Sequence, residues 1–256
     1  MSEVSACCAA PVAVEGRTTR YWVCTGCGQA CDAVDGAPRD AGLAVTLRAY
    51  REAAGWYAGL TAGFPPGSAL PGELGALAEG SSGLVVDAGA GAGRDAAYLA
   101  GLGRRVLAVD ASAPLLARAP RVPGLAVAAG DVRALPLRDG CAGAVWCSAV
   151  LLHLSPGGAL EALREFRRVL APGGTARVSV KEGTGTAYVP VPGAAGLGRH
   201  FRFWRAGELA ELAERAGLET AGAWTAEEAD SSGAVQRWAV VLARKPFSEI
   251  ASEARA

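Results

Sequence analysis

Leu84-Val85-Val86-Asp87-Ala88-Gly89-Ala90-Gly91-Ala92-Gly93-Arg94 decides the fold. Leu84 to Val86 are apolar and mostly β-branched, which suits a strand covered on both faces. Gly89, Gly91 and Gly93 leave no Cβ along the following loop, so a ligand can lie against bare backbone. A helix is predicted from about Gly93 through Tyr98-Leu99-Ala100. Its free N–H groups point back toward whatever occupies the loop. A glycine loop alone occurs in many α/β proteins, and the flanking sequence narrows the reading.

Arg105-Val106-Leu107-Ala108-Val109-Asp110 reads as a second strand ending in a carboxylate. Asp110 lies about twenty residues past the glycines, where an acid accepts hydrogen bonds from ribose hydroxyls. Val127-Ala128-Ala129-Gly130-Asp131-Val132 reads as a third strand, also ending in an acid. A fourth strand is expected over Ala144-Val145-Trp146-Cys147-Ser148-Ala149-Val150. An amphipathic helix follows over 156–170, with Leu160, Leu163, Phe166, Val169 and Leu170 inward and Arg164, Arg167 and Arg168 solvated. Strand five is expected over 175–181, a glycine- and proline-rich lid over 183–198, a helix around 206–216, strand six over 218–224 and a last strand over 235–243.

These pieces, in this order and spacing, resemble the class I S-adenosylmethionine-dependent methyltransferases. The motifs are VVDAGAGAG, VLAVDAS, AGDVRALPL, AVWCSAV with LLHL, and RRVLAPGGTARVSV. The resemblance spans about residues 40–243. A dinucleotide-binding loop would read G-x-G-x-x-G, which this one does not. The implied fold is a Rossmann-like α/β sheet of seven mostly parallel strands with helices on both faces, the last strand antiparallel between the fifth and sixth.

The resemblance also implies a cofactor, S-adenosylmethionine, and the residues around it. Backbone at Gly89, Gly91 and Gly93 would pass its methionine part and ribose, with Asp87 beneath the loop. Asp110, with Ala111 beside it, would take both ribose hydroxyls, since a carboxylate offers two acceptor oxygens. Asp131 would accept from the adenine amino group while the Val132 N–H donates to the ring. Backbone near Cys147 and Ser148 would meet the methionine ammonium. Helices before the first strand often cover the site in this family, which makes Tyr50 and Tyr57 pocket candidates. The stretch after the fifth strand often lines the acceptor pocket, which adds Tyr188, Arg202 and Trp204.

Residues 1–39 differ from the rest (40–256). They hold five of the seven cysteines: Cys7, Cys8, Cys24, Cys27 and Cys31. Cys24-Thr25-Gly26-Cys27-Gly28 has the two-residue spacing that lets both thiolates reach one metal ion. Short strands are expected over 12–14 and 19–23. The segment resembles a zinc ribbon, with zinc held structurally by Cys24, Cys27, Cys31 and either Cys7 or Cys8. Adjacent side chains of an extended chain point opposite ways, so Cys7 and Cys8 do not both serve one ion. A reduced cysteine-rich tail and a redox C-x-x-C pair are the other readings. Residues 35–40 read as a linker, and a helix is expected from Ala41 through Tyr57.

About half the residues are hydrophobic, enough for a sizeable core, and the formal net charge is zero. No whole-molecule field therefore draws nucleic acid or acidic lipid. No apolar run approaches the ~20 residues of a membrane helix, and the N-terminus does not read as a secretory signal. A cytoplasmic location without membrane partners is expected. Within the first forty residues three arginines face five acids, which disfavours phosphate binding.

Methyl transfer from a sulfonium is an in-line displacement in which alignment supplies much of the catalysis. The two histidines are the base candidates: His153 after the fourth strand and His200 in Arg199-His200-Phe201-Arg202-Phe203-Trp204. No [DN]-P-P-[YFW] follows the fourth strand, which argues against adenine or glutamine amino methylation. No Pro-Cys stands there, which argues against pyrimidine C5 methylation. Cys141 and Cys147 read as buried small hydrophobes. The expected acceptor is an oxygen or nitrogen of a small molecule or peptide. The alternatives are an rRNA or tRNA acceptor clamped by Arg199, Arg202, Arg205 and the ribbon, and a non-catalytic S-adenosylmethionine-binding partner subunit.

Overall fold

The computed structural model describes residues 41–192, 196–230 and 233–247, with side chains from 42 onward. Before these it describes five backbone strands: β1 (Glu3–Ser5), β2 (Val12–Glu15), β3 (Tyr21–Cys24), β4 (Ala30–Cys31) and β5 (Ala33–Asp35). β2, β3 and β4 form an antiparallel sheet, and β1 pairs with β5. Cys7, Cys8 and Cys27 lie outside the described residues, as do the side chains of Cys24 and Cys31. The expected zinc ligands therefore lie outside the described side chains. Among the described residues no His, Cys, Asp and Glu side chains gather into a metal site.

The remaining elements are α1 (Ala41–Glu52), α2 (Ala54–Leu60), α3 (Leu70–Glu79), β6 (Leu84–Ala88), α4 (Arg94–Gly101), β7 (Arg105–Asp110), α5 (Ala113–Leu116), β8 (Leu125–Ala129), β9 (Ala142–Ser148), a 3-10 turn (Leu151–His153), α6 (Pro156–Val169), β10 (Leu170–Lys181), β11 (Thr186–Pro190), β12 (Gly198–Arg202), α7 (Ala206–Arg215), β13 (Glu219–Ala229) and β14 (Val235–Arg244). Seven strands make one sheet in the order β13-β14-β10-β9-β6-β7-β8. β8, β7, β6, β9 and β10 run parallel, and β14 runs antiparallel between β10 and β13. The order reverses direction between β6 and β9, and in open α/β sheets a crevice opens at such a point beyond the strands' C-terminal ends.

Alternation along each strand divides the core. Val86 and Ala88 of β6 pack with Val145 and Cys147 of β9 and with the α6 and α7 side. Val85 packs with Trp146, Leu74, Leu77 and Leu99 on the α3 and α4 side. α6 starts at Ser155, whose hydroxyl accepts the Gly158 N–H at 3.1 Å, with Pro156 in the first turn. It buries Ala159, Ala162, Leu163, Phe166 and Val169, and the chain turns at Leu170 directly into β10.

Several expected elements differ. Instead of one helix from 41 to 57 there are two, meeting at Ala53. The third strand is Leu125–Ala129, so Asp131 stands past its end in a tight turn where its C=O accepts the Ala134 N–H. The span 183–198 contains β11, which pairs with β12 as an antiparallel hairpin. Strand six runs on to Ala229 because β14 pairs with it over its whole length. Of the three arginines expected on the solvated face of α6, only Arg164 is exposed. Arg168 binds Glu165, Asp139 and the Leu135 carbonyl, and Arg167 binds the Gly217 carbonyl.

Candidate active site

An open cleft of about 680 Å³, open solvent included, lies over the C-terminal ends of β6, β7 and β9. Its floor is Gly89, Gly91, Asp110, Ala111, Gly130, Asp131, Val132 and Ser148. Its roof is Leu43, Thr46, Leu47 and Tyr50 of α1 with Tyr57 of α2, and Ala149, Val150, His153 and Leu154 close one side.

The glycines serve different ends. A Cβ on Gly89 (φ +85°) would meet the Val150 side chain at 2.1 Å, and one on Gly93 (φ +80°) would meet Ala119 at 2.9 Å. Their bareness lets protein pack against the loop, and Gly93 does not reach the cavity. Gly91 (φ +56°) is the one whose Cβ would stand in the cavity, with only the Tyr57 ring near it at 3.7 Å. The loop is tied down by Gly89 and Ala90 N–H groups donating to the Val109 carbonyl, at 2.7 and 3.0 Å.

Asp110 is held from both sides. The Gly91 N–H donates to one carboxylate oxygen at 2.8 Å and the Ser112 N–H to the other at 2.7 Å. Burial raises its pKa, and these two bonds oppose the rise. Each oxygen keeps acceptor capacity on the cavity side. Asp131 is engaged otherwise: Arg133 grips it through its backbone N–H and a side-chain pair, Nε at 3.0 Å and Nη2 at 2.6 Å. An adenine amino group would share that carboxylate with a guanidinium already present.

Asp87 lies beneath the loop and is buried, away from the cavity wall. Burial, with Asp95 and Asp110 nearby, pushes its pKa well up, and Oδ2 has no hydrogen-bond partner. Cys147 is also buried in the core, its thiol pushed up by burial. Ser148 and Ala149 take its expected place on the wall. Ala149 holds φ +59°, an uncommon conformation for a residue with a Cβ, at the point where β9 gives way to the 3-10 turn.

Of the two histidines only His153 reaches the cavity. Its Nδ1 lies 2.8 Å from the His200 carbonyl oxygen and its Nε2 lies 3.0 Å from the Tyr50 hydroxyl. A carbonyl only accepts, so Nδ1 carries the proton and Nε2 accepts from Tyr50. Burial, with Arg199 and His200 close by, holds the imidazole pKa down to about 4. Burial likewise raises the Tyr50 and Tyr57 hydroxyls above their usual range. The His200 ring is turned outward on β12, against Gly42 and edge-on to Tyr188. Tyr188 is exposed on β11, Arg202 lies over the Trp204 ring, and Trp204 is buried in the main core. The structure brings none of these four to the cavity wall. Sequence reasoning missed Leu43, Thr46, Leu47 and Leu115, because their helical spacing reads as ordinary core pattern.

S-adenosylmethionine has acceptors and donors here that fit it: two Asp110 oxygens for a ribose, the open Gly91 backbone beside them, and apolar walls at Leu115 and Val132. Where it binds, it supplies an electrophilic methyl group.

Residues 86–178 match the family model described as a methyltransferase domain. A demethylmenaquinone methyltransferase of Beutenbergia cavernae is 42% identical over 91 residues, 35% of this chain and 37% of that protein. This chain spans about a third of the length of the curated relatives it matches. Among solved structures, the 1,6-didemethyltoxoflavin-N1-methyltransferase of Burkholderia thailandensis, with 1,6-didemethyltoxoflavin and S-adenosylhomocysteine bound, superposes with a TM-score of 0.64 at 23% identity. It covers 93% of this chain and all of that one. The [4+2]-cyclase SpnF superposes at 0.53 and 22% identity over 70% of this chain and 82% of its own, so the likeness concerns the fold and not one reaction. No described helix is long and apolar enough to cross a membrane. The match at 86–178, the strand order and the placing of Gly91 against Asp110 agree: this segment is similar to methyltransferase domains.

Proposed function

We propose that the chain binds S-adenosylmethionine and transfers its methyl group to an oxygen or nitrogen of a small molecule or peptide. The observation that carries this is Asp110, fixed by two backbone N–H groups beside the Gly91 gap with both oxygens still able to accept. The residues orient the donor and exclude water, since α1 and Tyr57 of α2 roof the cavity and the β11–β12 hairpin is tied to α1. Thr46 fastens that roof by accepting the His200 N–H at 2.9 Å and donating to the Gly42 carbonyl at 2.8 Å. A covered cavity favours a compact acceptor. The RNA reading fares less well: Arg202 packs on Trp204, and Arg199 lies among aromatic rings.

Calorimetry with S-adenosylmethionine and S-adenosylhomocysteine tests the reading. Both should bind the wild type, and Asp110→Ala should weaken them by about 1–3 kcal/mol through lost charge-assisted hydrogen bonds. Failure of the wild type to bind either sinks the proposal. Binding without turnover on any extract fraction would favour the partner-subunit reading. For residues 1–39 the reading is structural zinc on Cys24, Cys27, Cys31 and Cys7 or Cys8, supported by the C-x-x-C-G spacing. About one zinc per chain is expected by elemental analysis.

A further inference from the structure

β9 ends at Ser148, which is half-buried and stands on the cavity wall. Its hydroxyl closes a chain that begins in the core. Arg177 of β10 lies over the Trp146 ring at 4.3 Å and holds Glu73 of α3. Arg177 Nη1 donates to the Ser179 hydroxyl oxygen at 2.6 Å, and the Ser179 hydroxyl donates to Ser148 Oγ at 3.2 Å. Ser148 and Ser179 are partners in the parallel pairing of β9 with β10, so their side chains share one face of the sheet.

The direction of the chain follows from its first member. A guanidinium only donates, so Ser179 Oγ accepts from it and keeps its own proton to give. Accepting from a cation also draws electron density from Ser179, which makes it the better donor of the two serines. Ser148 Oγ is therefore the acceptor, and its own proton is left over. Among the described residues no hydrogen bond uses that proton. Other donors on the wall are committed: Thr46 gives to the Gly42 carbonyl, Tyr50 to His153 Nε2, and His153 Nδ1 to the His200 carbonyl. Tyr57 stands over Gly91, on the Asp110 side. At the β9 side the wall thus presents one uncommitted hydroxyl proton, at the end of a chain that starts on a cation.

We propose that the Ser148 hydroxyl donates to the α-carboxylate of S-adenosylmethionine, with Ser179 and Arg177 as positioning residues. This rests on the methyl-transfer reading. The sulfonium and the ammonium of that molecule are cations, and the positive end of a hydroxyl dipole repels them. Its ribose hydroxyls suit Asp110, whose oxygens only accept. Its carboxylate is the one anionic group, and the ionised side chains on the described wall, Asp110 and Asp131, repel it. A hydroxyl polarised through Ser179 by a buried guanidinium recognises that carboxylate without setting a free cation beside the sulfonium. The ammonium expected near Ser148 then falls to backbone carbonyls, not to this side chain.

The test is calorimetry on the full chain with two probes: S-adenosylhomocysteine and its decarboxylated analogue, which keeps the amine and lacks only the carboxylate. The wild type should prefer S-adenosylhomocysteine by at least about ten-fold. Ser148→Ala should remove most of that preference by weakening S-adenosylhomocysteine alone, the unchanged affinity for the analogue showing that the site is still folded. Ser179→Ala should remove part of it, about three-fold, with the analogue again unaffected. Equal binding of the two probes by the wild type, an equal loss for both in Ser148→Ala, or a preference untouched by either substitution would overturn the proposal alone. Failure of the wild type to bind either probe would overturn the methyl-transfer reading and this proposal with it.

Discussion

The Tyr50 hydroxyl lies 3.0 Å from Nε2 of His153. The bond ties α1 to the turn after β9, and the other ring nitrogen carries the tie on to the His200 carbonyl of β12. One half-buried imidazole thus joins α1, the turn after β9 and β12, and it does so as a neutral ring.

That neutrality has a sign in pH. An unfolded histidine takes up a proton near 6.5, whereas this one stays neutral down to about 4. Between those values the unfolded state binds the extra proton, so stability falls as pH falls from about 6.5 toward 4. His153→Leu removes both hydrogen bonds and should cost about 1–3 kcal/mol at pH 7. The gap between wild type and variant should narrow as the pH is lowered through that window. Denaturant melts at pH 7 and pH 4.5 measure it, and a constant gap would refute the assignment.

Gly91 and Gly89 should fail in different ways. Gly91→Ala meets no clash with protein, only the left-handed φ, so the fold should lose about 1 kcal/mol. Its methyl occupies the donor's space, and affinity for S-adenosylhomocysteine should drop at least about ten-fold. Gly89→Ala drives a methyl into Val150 and should lose about 2–4 kcal/mol of stability. Thermal melts alongside calorimetry separate the two, and the opposite pattern would contradict the site.

Arg177 is buried on β10, stacked over Trp146 at 4.3 Å and paired with Glu73 of α3. Its Nη1 donates to the Ser179 hydroxyl at 2.6 Å, and Ser179 reaches Ser148 on the cavity wall at 3.2 Å. Glu73→Ala leaves that cation without its carboxylate and should cost about 3 kcal/mol. Adding Arg177→Met should recover most of the loss in urea melts. Additive losses would show that the pair is not the source.

Much of the sheet was legible because β6, β7 and β9 are short apolar runs punctuated by glycine or an acid, and such runs have few other ways to be buried. Asp110 and Gly91 were legible for the same local reason. Asp131 was placed at a strand end it does not occupy, since the short strand β8 stops wherever its pairing with β7 stops. The hairpin β11–β12 was hidden in a glycine- and proline-rich stretch whose pairing is decided by partners outside it. His200 and Arg199 alternate along β12, so which of them faced inward depended on the strand's register against α1, which adjacency in sequence does not reveal.

From the chain alone came the α/β architecture and the acid beside the glycine loop, because hydrophobic period and turn chemistry are properties of neighbouring residues. Folding in three dimensions decided that one glycine of three opens the cavity and that His153 is a neutral tie. Those depend on distances between residues far apart in the chain, such as Tyr50, His153 and Arg199, which only packing brings together.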